Sequence, residues 1–512
     1  MISPSPSHTV AELKALRAYG QLGAPIQLAA VKHSERTGLI DELGSLSFGE
    51  LNARSDALAA VLSERGIGTA DTIGILCRNH RGFYDISFAA AKLGARILYL
   101  NTDFGGPQLH DVCTREGVSL LVHDEEYEQL VGGIDAARVI AWVDQDTGRE
   151  RLEDLVRAGA GRAAAVPSRH ARVVLLTSGT TGTPKGAPRS SSFSLAPVGA
   201  MLSKVPYRSG EATYVAPPMF HGVGYTQSLL SVSLGNTNIV ERRFDPERVL
   251  AAITKHRPSA LVVVPVMLRR IVSVLEQNPG VYDTSSLRII FVSGSQLEAE
   301  LVRRTQRSIG NVLYNFYGST EVAYATFATP ADLAAAPGCA GRPPYGTRVR
   351  LYDEDDQRLF GPDKVGRIFV SNSFQFEGYT GGGHKDVIDG MMSTGDVGHF
   401  DSAGRLWVDG RDDDMIVSGG ENLFPGEVEE LLITNPAIEE AAVIGVDDKD
   451  FGKRLAAFVV LRPGRQLDAD GVREFVKANL ARFKVPRDVV FLDELPRNPS
   501  GKVLKRELRE QT

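Results

Sequence analysis

Residues 177–186 read TSGTTGTPKG, and this run decides what kind of protein the chain makes. It holds three glycines, four threonines, a serine and a lysine. The segment before it, Ala171-Arg172-Val173-Val174-Leu175-Leu176, is apolar and β-branched and reads as a buried strand. A strand that runs into a glycine- and hydroxyl-rich loop carrying a cation is suited to wrapping phosphates. Glycines let backbone N–H groups approach the oxygens, hydroxyls donate further bonds, and Lys185 supplies positive charge. A Walker-type loop needs GxxxxGK followed by Ser or Thr, with the lysine opening a helix. Here Lys185 stands between Pro184 and Gly186, so that reading fails.

On either side of this loop the pattern is that of an α/β protein. Leu51, Ser55, Leu58, Val61 and Leu62 recur at helical spacing, with Gly66 closing the helix. Residues 72–76 read as a strand, 83–93 as a helix and 95–100 as the next strand. Such β–α–β alternation predicts a largely parallel sheet covered by helices. It resumes beyond the loop with buried strands at 260–264 and 287–292. At 512 residues the chain exceeds one ordinary core, so at least two domains are expected. A crowding of charged and glycine residues at 405–425 marks the boundary before a compact final segment.

Composition removes several classes of function. A net charge of -6 with no basic stripe argues against nucleic-acid binding. No apolar run reaches membrane-spanning length, and the start, MISPSPSHTV, lacks the pattern of a signal peptide. Cys77, Cys113 and Cys339 have neither metal-ligand nor CxxC spacing, so reduced thiols and a cytoplasmic location are expected.

The loop at 177–186 resembles the signature loop of the adenylate-forming superfamily: acyl-CoA synthetases, nonribosomal peptide adenylation domains and beetle luciferases. Further motifs follow in the order that superfamily shows, so the resemblance covers nearly the whole chain and is nearest the acyl-CoA synthetases. It implies a large N-terminal α/β domain, 1–411, with mostly parallel sheets. A small mobile α+β domain, 412–512, would carry the catalytic lysine and turn about Asp413. Thr177, Ser178, Gly179, Thr180, Thr181, Gly182 and Lys185 would hold the phosphates of ATP. Ser293-Gly294-Ser295 resembles the adenine-lining segment, which assigns Gly294 and Ser295 to the nucleotide.

Asn315-Phe316-Tyr317-Gly318-Ser319-Thr320-Glu321 is the more specific match. Asn315, Phe316 and Gly318 would border the nucleotide, with Tyr317 a face for adenine and Thr320 a hydroxyl for phosphate. Glu321, assisted by Thr177, would bind Mg2+, which prefers one or two carboxylates plus phosphate oxygens. Asp396, in Ser393-Thr394-Gly395-Asp396, resembles the carboxylate that receives both ribose hydroxyls, and Arg411 the arginine on ribose or phosphate. Residues 496–504, PRNPSGKVL, resemble the terminal catalytic loop and put the essential lysine at Lys502. A carboxylate attacking the α-phosphate presses two anions together, and a protonated amine bridging them stabilises the transition state.

The segment Pro217–Gly224, PPMFHGVG, resembles the gate segment in which His221 borders the acyl pocket. Relatives that activate amino acids need an aspartate there to neutralise a buried ammonium. None stands near His221, which disfavours an α-amino acid. By position, His221, Tyr225, Gln227, Val264, Met267, Gly294, Gly318 and Tyr324 are the acyl-pocket candidates, a mostly apolar or neutral set. Gly419, Gly420 and Glu421 match the loop along which the CoA arm passes, while Phe451 and Phe483 are candidate CoA-stacking or core residues.

The resemblance therefore implies an AMP-forming acid–thiol ligase that uses ATP, Mg2+ and CoA on an apolar carboxylic acid. The alternative is an enzyme that only adenylates, or passes the acyl group to a carrier protein or separate transferase. A homodimer is a further expected association. A non-catalytic binding protein is disfavoured by the joint presence of Lys185, Glu321, Asp396, Arg411 and Lys502. Three features depart from the family: Gly366-Arg367, the glycine-rich segment 371–386 without an Arg-Gly-Pro opening, and Pro188-Arg189.

Overall fold

The computed structural model describes residues 6–144, 148–177, 185–188, 196–376, 378–379, 384–412, 416–418, 421–423, 425–448, 452–480, 484–498 and 501–510. The chain forms two compact units. One comprises Met1–Val263, Ser273–Phe291 and Ser373–His384; the other comprises Val264–Val272, Val292–Asn372 and Lys385–Thr512. Among the described residues no helix is long and apolar enough to cross a membrane.

The first unit holds a six-stranded sheet in the order Ala137–Trp142, Val118–Asp124, Thr72–Leu76, Arg96–Tyr99, Arg172–Thr177, Lys185–Pro188. The first five strands run parallel and the last antiparallel. Strands covered on both faces read as continuous apolar runs, and Ile73, Ile75, Ile97 and Leu98 are accordingly buried. Thr177 pairs with Lys185 across the antiparallel pair, which holds the two ends of the glycine-rich loop side by side. A second run of strands, Ala260–Val263, Ala212–Val215, Thr237–Ile239 and Thr37–Asp41, is parallel and ends in an antiparallel strand, Gly44–Ser47.

Local chemistry explains where the helices start and stop. Helix Phe48–Glu64 opens with a capping box, Ser47 Oγ accepting from Glu50 N at 3.1 Å and Glu50 Oε2 accepting from Ser47 N at 2.7 Å. Helix Arg81–Leu93 closes at Gly94, whose φ of 68° is left-handed. A Cβ on Gly94 would also lie 2.2 Å from the Arg169 carbonyl oxygen. After Ala212–Val215 the chain is clamped by the buried Asn79. Its Nδ2 donates to Pro217 O at 2.9 Å, and its Oδ1 accepts from Met219 N at 2.8 Å.

Cys77, His80 and Asp124, which the sequence spacing does not group, converge in this unit with ligand-type atoms within 4.8 Å of one another. Their atoms are engaged in holding strand ends. His80 Nε2 meets Asp124 Oδ1 at 2.7 Å, Gly82 N donates to His80 Nδ1 at 3.1 Å, and Arg78 N donates to Asp124 Oδ2 at 2.9 Å.

The second unit is largely antiparallel. Strands Leu313–Tyr317 and Thr326–Ala328 pair. A five-stranded sheet comprises Arg348–Tyr352, Gly366–Ser371, Met391–Phe400, Val387–Ile388 and Leu406–Arg411. Further on, strands Ile438–Asp448, Gly452–Leu461 and Asp488–Phe491 form a three-stranded sheet. Helices Pro425–Ile433 and Ala469–Asn479 pack on it through Val428, Leu432, Val472 and Val476 against Val443, Leu455 and Val459. The architecture is thus parallel α/β in the large N-terminal part and a smaller α+β part at the C-terminus.

Gly94→Ala is expected to destabilise the protein by at least about 1 kcal/mol, since a side chain in the left-handed region costs that much before any clash. A urea midpoint that stays in place with unchanged slope would show that the strand after the helix can shift to accept a methyl group.

Candidate active site

The densest constellation surrounds Asp396, on strand Met391–Phe400. Its carboxylate is 15% exposed. Tyr317 Oη donates to Asp396 Oδ2 at 2.6 Å, and Arg411 Nη1 stands 3.4 Å from Oδ1. Arg411 is the residue directly opposite in the pairing with Leu406–Arg411. Burial pushes the Asp396 carboxyl above its ordinary range, opposed by the Tyr317 hydrogen bond and the charges of Arg411 and Lys502. Burial also raises the Tyr317 phenol, so Tyr317 remains the donor. An ionised carboxylate offers about four lone-pair sites. Tyr317 and Arg411, with a further hydrogen bond from Thr394, occupy part of that set.

A third cation stands here that the sequence reading did not select. A Cβ on Gly395 would lie 3.3 Å from both Lys385 Nζ and Arg411 Nη2. Lys385 closes the glycine-rich segment at 371–386 and has no motif of its own; only its proximity in the folded sheet reveals it.

The loop after Leu313–Tyr317 is held tightly. A side chain at Gly318 would meet Ala323 O at 2.2 Å. Ser319 Oγ accepts from Glu321 N at 3.2 Å and Val322 N at 3.3 Å and donates to Glu321 Oε2 at 2.9 Å. Asn372 Nδ2 donates to Val322 O at 2.7 Å and Tyr324 O at 2.8 Å. Glu321 and Thr320 are thus half-buried on a braced loop. One braced carboxylate fits Mg2+, which takes its remaining ligands from phosphate oxygens and water. Asn315 is buried, its Nδ2 3.3 Å from Cys339 O, and Phe316 meets Phe327 edge-on at 5.0 Å.

Lys502 sits on a short hairpin with an exposed side chain. Asn498 N donates to Lys502 O at 2.9 Å, Lys502 N to Asn498 Oδ1 at 2.9 Å, and Leu504 N to Pro496 O at 2.8 Å.

His221 precedes helix Gly222–Ser233 in the first unit. Its ring lies 4.5 Å from that of Phe220, and its Nε2 is buried without a hydrogen-bond partner among the described residues. Burial lowers its pKa to about 4. Tyr225 packs on Tyr99 at 4.9 Å. Gln227 is fully engaged, accepting from Tyr207 Oη at 2.9 Å and donating to Met201 Sδ at 3.2 Å. The other acyl candidates belong to the second unit. There Val264, Met267 and Tyr324 are buried, while Gly294 is exposed, as is Ser295, a candidate for the nucleotide only.

Several expected residues lie outside the described ones: Ser178, Gly179, Thr180, Thr181, Gly182, Asp413, Gly419, Gly420, Phe451 and Phe483. Thr177, Lys185 and Glu421 are described through their backbone, as strand residues.

Family models place the chain. Residues 26–380 match the AMP-binding enzyme model, and 427–502 match the AMP-binding enzyme C-terminal domain. An indoleacetate–CoA ligase of Aromatoleum aromaticum is 32% identical over 484 residues, covering 91% of this chain and 93% of that one. A feruloyl-CoA synthase of Amycolatopsis is 32% identical over 474 residues, covering 91% and 94%. The crystal structure of ATP-bound MatB from Rhodopseudomonas palustris superposes with a TM-score of 0.84 at 28% identity, covering 95% and 98%. The chain belongs to the AMP-binding enzyme family. Its fold is that of the adenylate-forming enzymes, and it is an AMP-forming acid–thiol ligase.

Asp396→Asn is expected to weaken AMP binding by about 10-fold or more, because an ionised acceptor contributes about 1.5–3 kcal/mol per hydrogen bond. Calorimetry with AMP checks this. His221 bears on acid stability. Its folded pKa lies below the ordinary imidazole value, so between about pH 6.5 and 4 the unfolded chain binds the extra proton. The stability associated with neutral His221 is complete above that window and is lost as pH falls through it. His221→Gln is expected to lose less melting temperature than the wild type on going from pH 7 to pH 4.5. Parallel curves for the two proteins would show that the ring is already protonated in the folded state.

Proposed function

We propose that the acid is apolar, an aryl carboxylic acid in first place, activated as its adenylate and then transferred to CoA. Adenylation rests above all on one observation: within one unit, Tyr317, Arg411 and the charge of Lys502 all bear on the carboxylate of Asp396. The acid class rests on two others. Neutral His221 beside Phe220 offers no counter-charge to an ammonium, and the relatives act on indoleacetate and ferulate by name.

Each residue then has a task. Asp396 receives the ribose hydroxyls, with Tyr317 fixing one oxygen and its ring facing the base. Arg411 and the loop 177–186, including Lys185, hold phosphate oxygens. Glu321 would hold Mg2+, with Thr177 the further candidate ligand, and the ion would supply positive charge to the phosphates. Thr320 and Lys502 meet the transferring phosphoryl oxygens as the carboxylate attacks and pyrophosphate leaves. His221 stays neutral and borders the acid's apolar body. Residues 412–512 then turn about Asp413, withdrawing Lys502 and bringing Gly419, Gly420 and Glu421 to the path of the CoA thiol. The thiol sulfur attacks the acyl carbon, and AMP departs with the bonding pair.

The test is pyrophosphate release from ATP and Mg2+ with indole-3-acetate, ferulate, 2-succinylbenzoate and decanoate, each with and without CoA. Turnover of an aryl acid that yields AMP and acyl-CoA is the expected result. Preference for decanoate would remove the aryl assignment. Adenylate that accumulates regardless of CoA would assign the acyl group to another acceptor, such as a carrier protein. Lys502→Ala is expected to slow pyrophosphate release by about 100-fold or more, the scale of losing one transition-state donor, with ATP affinity retained.

A further inference from the structure

Arg497, within the terminal loop, had no role in the reading so far. Its Nη1 donates to Gly501 O at 2.7 Å, bracing the residue next to Lys502 from within the hairpin. Its Nη2 donates to Glu440 Oε2 at 3.0 Å. The other oxygen of Glu440 lies 3.9 Å from Nε of Arg269, a buried residue on helix Pro265–Gln277. Arg269 Nη1 donates to Glu439 O at 2.9 Å, and its Nη2 to Glu298 Oε2 at 2.7 Å. An unbroken path thus runs Glu298–Arg269–Glu440–Arg497–Gly501, within one compact unit.

A second fastening reaches the same point. Gly501 has φ of 79°, and a Cβ there would lie 2.5 Å from Val266 Cγ1 and 3.1 Å from Val264 Cγ2. The backbone beside Lys502 therefore lies flush on the start of the helix that carries Arg269.

We propose that Arg269 and Arg497 are positioning residues, which through their shared partner Glu440 hold the Lys502 hairpin in place for adenylation and release it for thioester formation. The proposal rests on the adenylation role of Lys502 given above. The arrangement of charge is what suits it to release. Two arginines and two glutamates make a neutral set, and it divides into two neutral pairs. If residues 412–512 swing about Asp413, Arg497 leaves with Glu440 while Arg269 keeps Glu298. Neither half is left with a lone buried charge, which would be the costly outcome of breaking a buried pair. The link that must open is the long one, 3.9 Å, together with the bond to Glu439 O.

Two readouts test it on the full chain, with Arg269→Met, Arg497→Met and the conservative Arg497→Lys. Hydrogen exchange of peptide 496–504 is read against helix Ala469–Asn479, which reports the integrity of the C-terminal core. Both methionine variants are expected to lose protection in 496–504 and keep it in the helix. Unchanged protection in 496–504 overturns the proposal whatever the substrate proves to be. The second readout separates the half-reactions, using ferulate with ATP for pyrophosphate release and pre-formed feruloyl-adenylate with CoA for thioester formation. Arg269→Met is expected to slow the first by tens of fold, up to the roughly 100-fold that misplacement by about an ångström costs, and to leave the second within twofold. Arg497→Lys should recover part of the first. Equal losses in both half-reactions overturn the proposal. Should Lys502→Ala release pyrophosphate normally, the catalytic assignment fails instead, and the exchange experiment still decides the fastening.

Discussion

A carboxylate that is 15% exposed cannot stand alone, and the burial of Asp396 sets the terms for the rest of the nucleotide side. Taking an ionised group out of water is costly unless hydrogen bonds and opposite charge replace the lost hydration. The replacements come from two places. Tyr317 is 79 residues away in sequence, at the end of a different strand pair, and Arg411 is 15 residues away, across an antiparallel ladder. Side chains alternate along a strand, so a slip of one residue in that ladder would carry Arg411 to the opposite face. The register of the antiparallel sheet is therefore what brings Arg411 to this carboxylate.

The first unit positions its segments in a different way. The parallel strand Arg172–Thr177 ends at the glycine-rich loop, and Ala212–Val215 ends at Pro217–Gly224. Just past Thr72–Leu76 stands Asn79, whose amide clamps Pro217 and Met219 and so fixes where His221 emerges. Ligand sites in open α/β sheets lie beyond the carboxyl ends of the strands, where loops can vary without disturbing the core. A rigid parallel layer with adaptable ends allows one ATP chemistry to be combined with many acids.

This division also explains what the sequence disclosed. The strands expected at 72–76, 260–264 and 171–176 were readable because burial on both faces leaves an unbroken apolar run, and their ends carried compact motifs. Tyr317, Glu321, Asp396 and Lys502 could be singled out as candidates for a different reason: each lies in a short contiguous segment with its own chemistry. Lys385 was not, because its meaning arises only where Gly395 and Arg411 fold beside it. Arg269, Glu298, Glu440 and Arg497 were equally opaque, with partners 29 and 57 residues apart and, from Arg269 to Glu439, 170. Single arginines and glutamates have no periodicity, and a solvated surface looks identical in one dimension. Beyond the strand at 368–370, the antiparallel sheet between 348 and 411 was not read, since polar and glycine residues interrupt the apolar run in strands such as Met391–Phe400.

Lys502 illustrates how position can be supplied without burying the acting group. Lys502 is an exposed residue. Order comes instead from the backbone: the bonds between Asn498 and Lys502, the closure of Leu504 on Pro496, and the contact of Gly501 with Val264 and Val266. A lysine on a long helix would be as well placed but harder to withdraw, because a helix is anchored by a whole apolar face. A hairpin resting on two valines has little apolar area to lose, so apolar packing alone would hold it weakly. Charge-assisted bonds supply direction and strength over a small area. Because their charges can separate as two neutral pairs, they supply it without making the fastening permanent.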